Sequence, residues 1–493
     1  MFRLPSLDQR PHSVAIRDTD GTRLGQALAP QAEAHPGKSG FYPLVDGRDA
    51  FAARALMADA AERTLDVQYY IWHADLSGKL LFDALLRAAE RGVRVRLLLD
   101  DNNTNGLDPV LATLDYHPNI EVRLFNPFVI RGWRALGYLT DFPRLNRRMH
   151  NKSFTVDNQL TVIGGRNIGD EYFGSSDEMH FVDFDVMAIG PIVRDVSDDF
   201  DRYWSCGSSY PADRLLRLPS PRRRAIIRGK LTQTAFLPAA ARYGHSLSQL
   251  TFVRDMLARQ LEFEWTEVRM VSDDPAKGLG LAPKENLIAQ HLRAALGTPQ
   301  KEFRIISPYF VPTATGVDFL RNLAQAGVDI TVVTNSLEAT DVAVVHAGYA
   351  KRRHALLKAG IKLYEVKRAF SGPSIRDRGL VGHSGSSLHA KTFSVDGIRT
   401  FIGSFNFDPR SARLNTEMGF VIESDSLAQG ITNYLNQGLR DQAYEVRKTS
   451  LGRLEWIEHT GADSRRHRQE PNTSVWRRSA VVLASYLPIE WLL

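Results

Sequence analysis

The chain has 493 residues, a net charge of +6, and 43% hydrophobic against 24% charged residues. That is room for two or three domains with ordinary globular usage, which excludes a disordered chain and a polytopic membrane protein. A single cysteine, Cys206, excludes an internal disulfide and a cysteine-cluster metal site, and it is expected to be inert.

The opening MFRLPSLDQRPHS has no apolar h-region, so no secretory signal is expected. No stretch reaches the roughly 20 apolar residues of a spanning helix. LDVQYYIW, around Tyr70, reads as a strand. Leu81, Leu85 and Ala88 then recur at helical spacing, Gly92 sits where a left-handed C-cap belongs, and VRVRLLLD follows as a second β-rich run. Arg144, Arg147 and Arg148 precede the segment MHNKSFTVDNQLTVIGGRN, which ends at Asn167. They read equally as a steering patch for anionic groups or as a solvated basic face. His150 and Lys152, two apart on a β-branched and aromatic run, project from one face of a strand. Val156–Gln159 reads as a hairpin turn carrying Asp157. Gly164, Gly165 and Asn167 follow; small residues let backbone amides approach an anion, and an Asn side chain adds donors. FVDFDVMAI supplies two carboxylates, Asp183 and Asp185.

From Cys206 to Trp265 the composition changes and includes LPSPRRR. Residues 211–230 alone carry +6 and residues 464–493 carry +3, so the remainder is slightly acidic. The connector reads as a solvated surface loop or as a lipid-contacting one. Gly278 and Gly280 lack the strand context of a dinucleotide loop.

The next element repeats the first. LHAKTFSVDGIRTFIGSFN, ending at Asn406, matches the earlier segment without a gap at a constant offset of 239 residues, so His389, Lys391, Asp396 and Asn406 answer His150, Lys152, Asp157 and Asn167. FRIISPYF, around Tyr309, answers the run around Tyr70; Phe319, Leu320, Leu323 and Ala324, then Gly327 and VDITVVT, answer the helix and the second strand. Strand, helix, strand in each half implies two α/β lobes made by duplication of a whole domain.

Two His, two Lys and two Asn brought to one pocket suit a phosphodiester. One imidazole would attack phosphorus; the other would protonate the leaving alkoxide and later deprotonate the incoming hydroxyl. Two lysines supply the positive charge, so no metal and no cofactor is required. Each imidazole needs a carboxylate on its far nitrogen. Glu417, in LNTEMGFVI, is the candidate of the second half, and Asp185 is that of the first, with Asp183 its rival. Asp157 and Asp396 read as turn residues or as participants. His346 and Tyr349 lie on an expected helix, either near the substrate or simply buried.

These residues resemble the phospholipase D superfamily, whose duplicated HxKxxxxD motif is matched by His150-Lys152-Asp157 and His389-Lys391-Asp396. QYYIW (Gln68–Trp72), SPYFVP (Ser307–Pro312), DDPAKG (Asp273–Gly278) and VVHAGYAKRR (Val344–Arg353) look like bacterial cardiolipin synthases. The terminal LPIEWLL is similar to the C branch of that family, which lacks an N-terminal transmembrane hairpin. The resemblance covers residues 41–444. It implies an α/β fold of two pseudo-symmetric phospholipase D-type αβα sandwich lobes with the active site at their interface. The expected division is an N-terminal extension (1–40), a first lobe (41–205), a basic connector (206–265), a second lobe (266–450) and a basic, apolar tail (451–493).

The resemblance makes His150 the nucleophile and His389 the acid/base, with Lys152 and Lys391 beside them. Asn167, Asn406, Gly165 and Ser404 would bind phosphate, Gly165 standing where serine is more usual. The implied activity is transfer of a phosphatidyl group to phosphatidylglycerol, from phosphatidylglycerol or phosphatidylethanolamine, through a phosphohistidine. A phospholipid hydrolase and a nuclease are the alternatives. Anionic phospholipids and a membrane surface are the expected partners, not nucleic acid, with peripheral attachment on the cytoplasmic side. Trp476, Arg477 and Arg478, followed by SAVVLASYL and PIEWLL, suit a seat in an anionic interface or packing on the protein's own surface.

Overall fold

A computed structural model of the chain describes residues 3–175, 182–340, 342–368, 388–435, 439–461, 463–487 and 490–493. Pro488 and Ile489 of the terminal LPIEWLL lie outside them. The chain divides into two compact units, and neither is continuous in sequence. The first takes Met1–Ser175, Asp185–Ile288 and Leu414–Gly419; the second takes Ser176–Phe184, Ala289–Arg413 and Phe420–Leu493. Each unit therefore receives a short segment from the other half of the chain.

The first unit holds β1 (Ser39–Leu44), β2 (Thr64–Ile71), β3 (Arg94–Asn103), β4 (Ile120–Phe125), β5 (Ser153–Val156), β6 (Leu160–Gly164), β7 (Asp185–Ile189), β8 (Ser209–Pro211), β9 (Glu264–Thr266) and β10 (Val268–Ser272). Nine of these form a sheet in the order β8-β4-β3-β2-β5-β6-β7-β1-β9. β2 pairs parallel with β3 and antiparallel with β5. The parallel pair needs a crossover, and the helix Leu76–Glu90 supplies it. Asp75 caps that helix by accepting the Gly78 N–H, and Gly92 at φ +95° ends it as the sequence requires. Both faces of β2 and β3 are buried, as strands covered on two sides demand: Leu97, Leu98 and Leu99 fill both faces of β3, while β2 turns Leu65 and Val67 to one face and the polar Asp66 and Gln68 to the other.

The second unit repeats the plan with β11 (Glu302–Ile306), β12 (Asp329–Asn335), β13 (Lys362–Val366), β14 (Thr392–Val395), β15 (Arg399–Gly403), β16 (Met418–Glu423), β17 (Ala443–Lys448), β18 (Leu454–Thr460) and β19 (Asp463–His467). Its strands run β16-β15-β14-β11-β12-β13-β17-β18-β19. The helix Thr313–Gln325 crosses from β11 to the parallel β12, and Gly327, again at φ +95°, follows it. β14 and β15 begin and end 239 residues after β5 and β6. Both hairpins turn through positive φ, at Asp157 and Asn158 and at Asp396 and Gly397, as a two-residue turn matched to strand twist needs.

LPSPRRR leads into a helix rather than a loop: Ser220 caps Pro221–Thr234, and Leu231 is buried. Arg224 lies 4.0 Å over the Tyr116 ring and Arg228 pairs with Glu90 at 2.6 Å. The tail folds onto the second unit through β18, β19 and the helix Val475–Ser485, whose Val481 packs with Leu337 and Ala347. Its other face leaves Val475, Trp476, Val482, Leu483 and Tyr486 exposed. Among the described residues no helix is long and apolar enough to cross a membrane.

Candidate active site

In the first unit the motif histidine is fixed by backbone before its side chain is considered. Met149 bridges Thr416, the His150 N–H donates to the Thr416 carbonyl at 2.8 Å, and the Thr416 N–H donates to the Arg148 carbonyl at 2.9 Å. This pairing brings Glu417 to the ring, with Oε2 2.8 Å from His150 Nδ1. Glu417 is fully buried and His150 nearly so. A carboxylate in this place, when ionised, can only accept, which would put the hydrogen on Nδ1 and leave Nε2 as the nitrogen turned away from Glu417.

A second layer holds Glu417. Its N–H donates to Asp273 Oδ2 at 2.9 Å, and Lys277 Nζ lies 2.8 Å from that same oxygen. Burial raises the Asp273 carboxyl to about 6; Lys277 pulls it down and the Glu417 charge pushes it up. Lys152 donates to the His150 carbonyl at 2.6 Å, and its ammonium lies 5.5 Å from the centre of the Tyr70 ring. That ring meets His150 edge-on at 4.9 Å.

The second unit builds the same arrangement from other residues. Leu388 bridges Val182, the His389 N–H donates to the Val182 carbonyl at 2.9 Å, and Asp183 Oδ2 lies 2.5 Å from His389 Nδ1. Lys391 Nζ is 2.9 and 3.2 Å from the two ring nitrogens and also donates to the His389 carbonyl. Asn335 fixes the neighbouring Leu388 through both its N–H and its carbonyl.

Each carboxylate thus serves the histidine from the other half of the sequence. Glu417, the candidate of the second half, lies against His150, and Asp183, the rival candidate of the first, lies against His389. Asp185 touches neither. It accepts from Arg54 Nη2 at 2.8 Å and from the Arg166 N–H at 3.1 Å, all buried, because β7 pairs with β6 at Gly164↔Asp185 and so points this carboxylate at the Arg54 guanidinium.

Of the two readings open for Asp157 and Asp396, turn residue or participant, their contacts are those of the turns. Asp157 accepts the N–H groups of Glu62, Arg63 and Thr64 at 2.8–3.0 Å, tying the entry of β2 to the β5 hairpin. Asp396 accepts those of Gln300, Lys301 and Glu302 before β11. Burial raises the Asp396 carboxyl, but these three donors outweigh it and hold the group below the usual range.

Asn167 is committed to structure, accepting from the Ile71 N–H at 3.2 Å and donating to the Tyr172 hydroxyl at 3.0 Å. The Asn406 N–H meets Ser411 Oγ at 3.3 Å, while its buried Oδ1 has no hydrogen-bond partner among the described residues. Gly165 and Ser404, both buried, directly follow β6 and β15. Two of the three arginines before His150 are engaged by carboxylates: Arg148 is buried against Asp100 at 2.7 Å, and Arg144 pairs with Asp141 at 2.6 Å. Asp100 also accepts the Met149 N–H at 2.7 Å, so this pair positions the motif strand.

His346 and Tyr349 are buried in a network with Arg353, Glu365 and Glu470 that pins the tail. His73, Asp75 and Glu171 lie close enough to hold a metal ion, yet Asp75 is already the acceptor of the Gly78 and Asp170 N–H groups. Sequence reading missed Asp100 and Asp273; the DDPAKG run was visible but its task was not.

A family profile described as "Cardiolipin synthase, PLD-like domain" matches residues 55–204 and 292–439. Cardiolipin synthase C of Escherichia coli (strain K12) is 53% identical over 96% of this chain and 100% of its own length. Cardiolipin synthase A of Pseudomonas entomophila (strain L48) is 26% identical over 82% of this chain and 69% of its own. Among solved structures, phosphatidylserine synthase of Haemophilus influenzae Rd KW20 shares the fold, with a TM-score of 0.60 at 16% identity over 95% of this chain and 100% of that one.

Proposed function

The chain belongs to the family of cardiolipin synthases with PLD-like domains, and we propose from this premise that it transfers a phosphatidyl group to the glycerol hydroxyl of phosphatidylglycerol, taking it from phosphatidylglycerol or phosphatidylethanolamine. The observation that carries the reading is the pair of imidazoles, each with Nδ1 against a buried carboxylate, at 2.8 Å for His150 and 2.5 Å for His389.

In this reading His150 Nε2 attacks the donor phosphorus. The P–O bond to the head-group alcohol breaks, and the departing oxygen takes the proton of the His389 imidazolium. The phosphatidyl group then rests on His150 as a phosphoramidate. His389, now neutral, takes the proton of the phosphatidylglycerol hydroxyl as its oxygen attacks phosphorus, and the P–N bond breaks. Glu417 stabilises the positive ring through both steps. Lys152 and Lys391 offset the charge of the equatorial oxygens, each pair being worth of order 4 kcal/mol at about 4 Å and an effective dielectric near 20, before desolvation. The unpartnered Asn406 Oδ1 is available to a substrate hydroxyl.

Excluding water favours transfer over hydrolysis. Peripheral attachment to an anionic membrane is supported by the exposed Trp476, Leu483 and Tyr486 beside Arg477 and Arg478. The test is mass spectrometry of products from isotopically labelled phosphatidylglycerol vesicles, with and without phosphatidylethanolamine. Cardiolipin with released glycerol or ethanolamine is expected; phosphatidic acid without cardiolipin would sink the proposal.

A further inference from the structure

The second unit contains a cavity of about 460 Å³ between the sheet and the helices Ile288–Leu296, Thr313–Gln325 and Pro409–Arg413. Its lining is mainly aliphatic and aromatic, including Leu292, Phe303, Phe393 and Phe405, with Arg293 and Arg413 exposed. This size lies in the range of small-molecule sites.

Duplication supplies an internal control. At the offset of 239 residues the lining positions Arg293, Val311, Phe405 and Ala412 answer Arg54, Trp72, Arg166 and Phe173 of the first unit, all of which are buried. There Arg54 is drawn inward by Asp185 and by the Tyr69 hydroxyl, each at 2.8 Å, and its guanidinium lies 5.4 Å from the centre of the Phe173 ring. Trp72 stacks on Phe82 at 4.4 Å, and Tyr243 covers Phe51 and donates to the Phe173 carbonyl. In the second unit Tyr69 has become Pro308, Trp72 has become Val311 and Phe173 has become Ala412. The space that the first copy fills is open in the second, and the arginine that was buried stands exposed.

The floor of the cavity continues the motif. Lys391, Phe393 and Val395 alternate along one run and so project from one face, and the cavity reaches Phe407 and Asp408, directly after Asn406. An apolar trough that starts beside a phosphate-binding lysine and carries arginines on its rim is complementary to a chain that is apolar along its length and anionic at its head.

We propose that this cavity holds one fatty acyl chain of a membrane phospholipid, with Arg293 and Arg413 facing the head-group side. The proposal rests on the lipid-substrate reading above and deepens it, since it makes the second copy the one that measures chain length.

The test fills the cavity. Ala412→Phe restores the first copy's residue, and Leu292→Trp fills from a different helix should the first variant fold poorly; thermal unfolding establishes that each is folded. Two measurements are made on the full chain: binding of cis-parinaric acid by fluorescence, and the ratio of turnover on dioleoyl to dihexanoyl phosphatidylglycerol. Saturable binding in the parent chain, lost on filling, with at least a tenfold fall in the ratio, is the expected result. Absence of saturable binding in the parent, or folded variants in which binding and ratio stay as in the parent, would overturn the proposal. Binding lost on filling in a chain that transfers no phosphatidyl group would uphold the cavity and refute the activity instead.

Discussion

Replacing Glu417 by Gln isolates the charge on His150 from its geometry. The amide is isosteric, so the Glu417 N–H bond to Asp273 and the pairing of Thr416 with His150 persist. Its oxygen can still accept from Nδ1. What is lost is the difference between a charge-assisted and a neutral hydrogen bond, about 1–2 kcal/mol. Part of the Coulomb attraction on a ring that would become positive in the proposed phosphohistidine is lost as well, of order 4 kcal/mol at about 4 Å before screening. Allowing for relaxation, about 3 kcal/mol falls on the transition state, or roughly a hundredfold in kcat. The assay is initial-rate transfer of labelled phosphatidyl groups, with thermal unfolding as control. A folded Glu417→Gln protein that keeps more than about a third of the parent kcat would refute the assignment. The contrast is Asp185→Ala, which leaves Arg54 buried without its carboxylate: the expected loss is about 3–5 kcal/mol of stability, with little change in the kcat of the folded fraction.

Asp183→Asn should act on His389 as Glu417→Gln acts on His150, with the larger effect on the step that protonates the leaving group; a leaving-group series with poorer and better alkoxides reads this. Asp396 is held below the usual carboxylate range, so its contribution to stability is present above about pH 4 and is lost as pH falls through its folded value. Asp396→Asn, which tolerates the positive φ, should therefore flatten acid unfolding monitored by circular dichroism while leaving the neutral-pH kcat in place. Burial pushes the Cys206 thiol up to about 11, so iodoacetamide at neutral pH should modify it much more slowly in the folded than in the denatured chain. Trp476→Ala with Tyr486→Ala should lower binding to anionic vesicles more than turnover of detergent-dispersed substrate, as measured by co-sedimentation.

The duplication was legible because both motif copies keep one offset through strand, turn and strand, and the structure places β5, β6, β14 and β15 at that same offset. The positive-φ turns and the glycines closing the crossover helices were legible for a local reason, since each is fixed by its own few residues. Partnership of the carboxylates was not. Glu417 and Asp183 reach their histidines because Leu414–Gly419 and Ser176–Phe184 each belong to the unit of the other half, and a chain exchange leaves no trace in spacing. Arg148 illustrates the same limit: three arginines in five positions look like a surface patch until Asp100, 48 positions away, buries one of them. Arg54 and Arg293 stand at the same offset of 239, yet the first is drawn inward by Asp185 and Tyr69 and the second is exposed.

The most direct test of the account is acid-free quenching of a single turnover with labelled phosphatidylglycerol, followed by mass spectrometry of the proteolysed chain. The account expects a phosphatidyl adduct on His150 that is absent from His150→Ala. An adduct on His389 instead, or full transfer without any histidine adduct, would contradict it.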